Sequence, residues 1–243
     1  MRLKQFQILA VGSAVLRRGL LAVVLAATSV GSASAANIAT WTFETSVPTT
    51  AGPLAPEVGA GSATGFHSGS STYSNPVGNG SAESFSSTNW LVGDYYQFQV
   101  STVGMTGISI SWDQASSNTG PKDFQLQYST NGTTFSPIVD YSVLANSSPN
   151  PVWNISTYDS MYTSALNLSA FTALDNTASI YFRLTNNTTV SANGGTVAST
   201  GTDRVDNVTI SGSPVPEPSS LALVGCGAMG AAAMIVRRRR ARK

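Results

Sequence analysis

The 243-residue sequence predicts an all-β protein, an antiparallel β-sandwich of jelly-roll type. Three observations predict it. Apolar and polar residues alternate with period two in several short segments, which puts one face of each strand on a core and the other in water. Gly, Asn and Pro turns separate these segments. No stretch of the middle of the chain keeps a helical period, and many short strands of this kind suit a sandwich.

The alternating segments follow in order. Ala39, Trp41 and Phe43 share one face in NIATWTFE, and Tyr96, Phe98 and Val100 in DYYQFQV. Ile108, Ile110 and Trp112 do so in TGISISWD, and Phe124, Leu126 and Tyr128 in DFQLQYST. Ile180, Phe182 and Leu184 alternate in ASIYFRLT, and Val208 and Ile210 in NVTIS. Asn131-Gly132 predicts a two-residue hairpin turn, since both residues tolerate positive φ. Residues 164–174 hold at most one short helix. Residues 52–87, rich in Gly, Ser, Ala, Thr and Asn, read as long loops with at most one short strand near Ser70–Tyr73.

The two ends carry most of the positive charge. Arg2, Lys4, Arg17 and Arg18 precede the apolar run Leu20–Ala27, and Ala33-Ser34-Ala35 follows as an A-x-A site. This order predicts a signal peptide over 1–35, cut after Ala35. Arg17-Arg18-Gly19-Leu20-Leu21 also fits a loose twin-arginine pattern, so both export routes stay open. At the other end, residues 214–220 form a Pro-rich hinge, 221–236 an uncharged apolar segment, and 237–243 a basic block. Sixteen helical residues span about 24 Å, short of a hydrocarbon core of roughly 30 Å. Arg237, Arg238, Arg239, Arg240, Arg242 and Lys243 supply what the segment lacks, by holding its end in the cytoplasm. The expectation is a marginal single-pass transmembrane helix, suited to a temporary anchor. Between these ends, residues 36–213 form the exported domain. From Ala36 to Pro214 three basic residues face eleven acidic ones, a balance of −8. Such a domain is repelled by phosphate and is no nucleic-acid binder.

The tail resembles the PEP-CTERM sorting signal of exopolysaccharide-producing Gram-negative bacteria. Pro216-Glu217-Pro218, the small-rich segment 221–236 and the Arg cluster from Arg237 carry the resemblance. It implies processing by an exosortase-type membrane enzyme and transfer to the cell surface or extracellular matrix. The segments WDQASSNTGPKDFQLQYSTNGTTF and DRVDNVTISG are similar to other PEP-CTERM passengers, and the first also looks like strands of galactose-binding-like sandwiches.

Candidate chemistry in the middle is sparse. One His and one Cys exclude a His- or Cys-built zinc site and a disulfide framework within one chain. A Ser-His-Asp triad would have to use His67, which reads as an exposed loop residue. Carboxylate pairs could hydrolyse glycosides, but no spacing picks one out. Asp203 and Asp206 flank Arg204, which suggests a local salt bridge; no cofactor is expected, and calcium stays open without an assigned site. Trp90 and Trp153 sit beside Asn89 and Asn154 and are candidates for stacking on a sugar ring. The sequence therefore reads as an exported, non-enzymatic surface or matrix protein associated with exopolysaccharide or biofilm. A lectin-like carbohydrate-binding module is the alternative, and a secreted glycoside hydrolase a more distant one.

Overall fold

A computed structural model describes residues 34–215 and, in the C-terminal segment, only Gly227, Met234, Arg237 and Arg238, all exposed and in helical backbone. The signal-peptide residues through Ala33, the motif residues Pro216, Glu217 and Pro218, most of the apolar segment, and Arg239, Arg240, Arg242 and Lys243 lie outside the described residues. Ala35 is exposed and immediately precedes the first strand.

Among the described residues, thirteen strands form two sheets. The larger has eight: β1 (Ala36–Trp41), β2 (Val58–Gly59), β4 (Tyr73–Ser74), β5 (Phe85–Thr88), β7 (Met105–Ser116), β10 (Leu144–Ala145), β11 (Thr163–Asn167) and β13 (Thr202–Pro214). The smaller has five, β3 (Gly61–Phe66), β6 (Tyr95–Val100), β8 (Asp123–Ser129), β9 (Ser136–Ser142) and β12 (Ile180–Asn186), in the order β3-β6-β12-β8-β9. The long strands β7 and β13 pair with each other down the middle of the eight-stranded sheet. β13 is flanked on its other side by β5 near its start and β1 near its end.

The core lies between the sheets because each predicted alternation turns its apolar face there. Trp41, Ile108, Ile110 and Val208 come from one sheet, and Phe98, Phe182 and Leu184 from the other; all are buried. The Trp41 and Phe98 rings meet across the gap with centroids 5.3 Å apart. Trp41 and Trp112 are core, as the alternation predicts.

Four local expectations need correction. β10 pairs with β7 in parallel, so the larger sheet is antiparallel except at that short bridge. Residues 52–87 hold β2, β3, β4 and β5 rather than loops with one strand. β3 and β5 each bring a single apolar residue to the core, Ala63 and Phe85, so small residues hide the period. Asn131-Gly132 does mark the β8–β9 connection, but as a wider loop. Gly132 takes φ 74° while the Asn131 side chain accepts from the backbone N–H groups of Thr133 and Thr134, an Asx arrangement. Finally, Arg204 forms no salt bridge with Asp203, its strand neighbour on the opposite face, nor with Asp206, whose carboxylate accepts from Ser81, Asn79 and Asn207; its guanidinium donates to the Val77 carbonyl.

Candidate functional site

The solvent face of the five-stranded sheet is the candidate site. Alternation that buries Tyr96, Phe98, Phe124, Leu126, Phe182 and Leu184 must expose their neighbours. Strand pairing lines these up in rungs across the sheet. Thr64, Gln97, Arg183 and Gln127 form one rung. Phe66, Tyr95, Thr185, Gln125 and Asp140 form the next.

One edge of this face is aromatic. Phe66, 45% exposed, stacks on Tyr95 with centroids 5.0 Å apart and planes 16° from parallel. In the centre, the Arg183 guanidinium lies 3.8 Å from the Tyr95 ring centroid and 3.5 Å from that of Phe135. Its Nε donates to Gln97 Oε1 at 2.9 Å, which fixes the guanidinium plane. Burial among these groups lowers the Arg183 pKa, and Tyr95 opposes the shift; the side chain remains a cation. Beyond the centre, Thr185 donates to Gln127, Gln127 to Gln125, and Gln125 to Asp140, a continuous chain of amides. The chain ends at an open hollow of about 320 Å³ lined by Asp123, Asp140, Tyr141, Ser142, Asn187 and Thr188. The face thus offers flat rings, one cation, and many fixed donors and acceptors. That set suits a ligand with apolar ring faces and equatorial hydroxyls.

Trp90 and Trp153 are not part of it. Both are buried, 3% and 2% exposed. Trp90 donates to the Ser87 carbonyl and packs edge-on against His67, Tyr96 and Phe124. Trp153 packs on Tyr162 in a small cluster with Ala115 of β7 and Leu144 of β10, separate from the main core. Their apolar bulk is used inside the fold, and neither ring can meet a sugar.

His67 also departs from expectation. Its side chain is 2% exposed, with Nδ1 2.9 Å from Asp94 Oδ2 and Nε2 2.9 Å from Ser87 Oγ. A proton on Nδ1 facing the carboxylate leaves Nε2 to accept from Ser87. This has the connectivity of a Ser-His-Asp triad. Ser87 and Asp94 are both wholly buried, however, and the Trp90 and Tyr73 rings cover the imidazole. Ser87 Oγ also lies 3.3 Å from the Tyr96 hydroxyl, which bonds the Asp203 carbonyl. The chain of bonds ties the 67–94 loops to the core, and a substrate has no approach to the serine.

A second buried polar cluster sets two carboxylates side by side. Asp113 and Asp206 face each other across β7 and β13, beside a bulge at which Asn207 takes φ 49°. Amide groups occupy the positions a cation would need. Asn79 donates to Asp113 and Asn207 donates to both carboxylates. The Asn79 amide cannot turn its oxygen inward, because that oxygen accepts from the Asp159 N–H while its NH₂ donates to the Asp159 carbonyl. Ser81 and the Asn79 N–H also donate to Asp206. Calcium needs six to eight oxygens, so this donor-rich cluster does not fit it. Among the described residues no group of three or more His, Cys, Asp or Glu is placed to hold a metal.

Residues 214–240 match the PEP-CTERM protein-sorting motif, which marks a chain for export and for membrane-anchored sorting by an exosortase. No curated protein matches the sequence. Among solved structures, the K1 cleaved adhesin domain of Lys-gingipain from Porphyromonas gingivalis W83 is similar at TM-score 0.42 and 12% identity, over 73% of this chain and 97% of that one. The CBM22-1–GH10 modules of Clostridium thermocellum xylanase 10B, complexed with xylohexaose, are similar at TM-score 0.43 and 16% identity, over 74% of this chain and 29% of that one. The CBM22-1 xylan-binding domain of Paenibacillus barcinonensis Xyn10C follows at TM-score 0.40 and 8% identity, over 75% of this chain and 98% of that one.

Proposed function

We propose that this protein is an exported, non-enzymatic surface or matrix component, released from a C-terminal membrane tether by an exosortase. Its galactose-binding-like sandwich of jelly-roll type holds exopolysaccharide, as in a biofilm, through the outer face of the five-stranded sheet. The observation that carries this reading is the row from the Phe66–Tyr95 stack through Arg183 to the Gln127–Gln125–Asp140 amide chain. Stacking platforms beside fixed amides are what a glycan ring requires. The balance of −8 over the middle of the chain also keeps nucleic acid away from this face.

Replacing Phe66 and Tyr95 together by Ala removes the platform without touching the core. Retention on polysaccharide gels of the native organism should fall about tenfold, equivalent to about 1.4 kcal/mol. Unchanged retention across a broad panel, with the wild type retained, would move the site elsewhere. The sorting half has its own test. Changing Pro216-Glu217-Pro218 to three alanines should leave the tail attached, seen as a larger intact mass in protein recovered from native cells. A mature mass equal to that of the wild type would remove the exosortase from the account.

A further inference from the structure

The geometry points to a glycan with sparse carboxylate groups as the ligand of the five-stranded face, with Arg183 as the residue that reads the carboxylate. The inference rests on the glycan-binding reading above and narrows it.

Arg183 is the one basic residue on these rungs, at the centre of the face between Gln97 and Gln127. A guanidinium has five N–H donors, and here Nε alone is committed to a protein acceptor, Gln97. The only salt-bridge contact among the described residues is His67–Asp94, so no described carboxylate neutralises Arg183. The Tyr95 and Phe135 rings lie against the guanidinium and displace water from it. A partly desolvated cation with an open edge gains most from an anion. Its planar fork fits a planar two-oxygen acceptor in bidentate fashion, where a hydroxyl satisfies one N–H at best.

The same face limits how many acids the ligand can carry. Asp140 lies two strands and one rung from Arg183, on β9, roughly 12 Å away at ordinary strand spacing and rise. Asp123 lines the hollow with it. A carboxylate on every sugar would place like charge against these two. One acid group among several neutral sugars puts its charge on Arg183 and its hydroxyls on the amides and aspartates.

The test uses the full-length chain purified in detergent and two linear hexasaccharides. One contains a single glucuronate; the other is the same molecule after reduction of that carboxyl to the alcohol. Titration calorimetry should give about tenfold tighter binding of the acid form, the worth of one charge-assisted bidentate contact. Arg183→Gln should bring the two affinities together. Arg183→Lys, which keeps the charge but not the fork, should lose most of the preference. Equal affinity of the wild-type chain for both ligands overturns this inference and leaves the glycan reading standing. Preference retained in Arg183→Gln overturns it as well. Failure of both ligands, and of neutral polysaccharide, to bind the wild type overturns the two readings together.

Discussion

Asp206→Asn should gain up to about 4 kcal/mol relative to the wild type as pH rises from about 4 to about 8. Burial pushes the Asp206 carboxyl up to about 7 from an ordinary 3.8, the facing Asp113 adds a little, and hydrogen bonds from Ser81, Asn79 and Asn207 hold it down. Between these two values the folded chain keeps a proton that the unfolded chain has released. Wild-type stability therefore falls as pH rises through this window and levels off above 7. An amide has no such transition. The substitution also places an NH₂ among groups that donate to Asp206, a fixed cost of about 1–3 kcal/mol at every pH. That cost cancels when the two pH values are compared within each protein. His67 acts with the opposite sign, since burial lowers its pKa below 6.5. The stability it contributes is present above 6.5 and lost as pH falls, and it too cancels between variant and wild type. Urea unfolding at both pH values reads the difference directly. Parallel pH profiles for the two proteins would refute a shifted Asp206.

Asp94→Ala should cost about 3 kcal/mol or more, because several donors lose one buried carboxylate acceptor together. Asp94 is wholly buried and accepts from Ser68 N–H, Ser68 Oγ, Leu91 N–H and His67 Nδ1. Removing the carboxylate leaves the His67 Nδ1–H, on a side chain 2% exposed, without an acceptor and unties Ser68 and Leu91 from the core. Ser87→Ala removes one hydroxyl from a site lined by Trp90 and Tyr96, and should cost only about 1 kcal/mol. A catalytic triad would share this stability pattern but make Ser87 indispensable for turnover. Urea midpoints of the two variants, together with hydrolysis of simple ester substrates, separate the cases. Ester turnover abolished by Ser87→Ala would make the buried chain a working site.

Strand positions were legible where large apolar residues alternate, as in β6, β7, β8 and β12. The same alternation also held the candidate site, in its complement. Tyr95, Gln97 and Gln99, then Gln125 and Gln127, then Tyr181, Arg183 and Thr185, are the outward positions of strands read correctly for their inward ones. What sequence could not give was the strand order that brings Phe66 beside Tyr95 and Arg183 beside Gln127. Those rungs join residues far apart in the chain, and β3 has almost no apolar signal of its own. The Trp–Asn pairs misled because an amide neighbour says nothing of which way a ring turns. His67 misled because its partners, Ser87 and Asp94, lie 20 and 27 residues away. The tail was the most legible part, since its order of hinge, apolar run and basic block is local.

β13 ends at Pro214, where the sorting motif begins. Any load that a surface attachment passes through this end reaches the sandwich at a strand paired with β7 on one side and with β5 and β1 on the other. An edge strand under tension can be peeled away one hydrogen bond at a time. A strand held along both flanks must break many bonds together, which raises the barrier to forced unfolding. A pull applied at this end therefore meets a strand that yields only when many bonds break together.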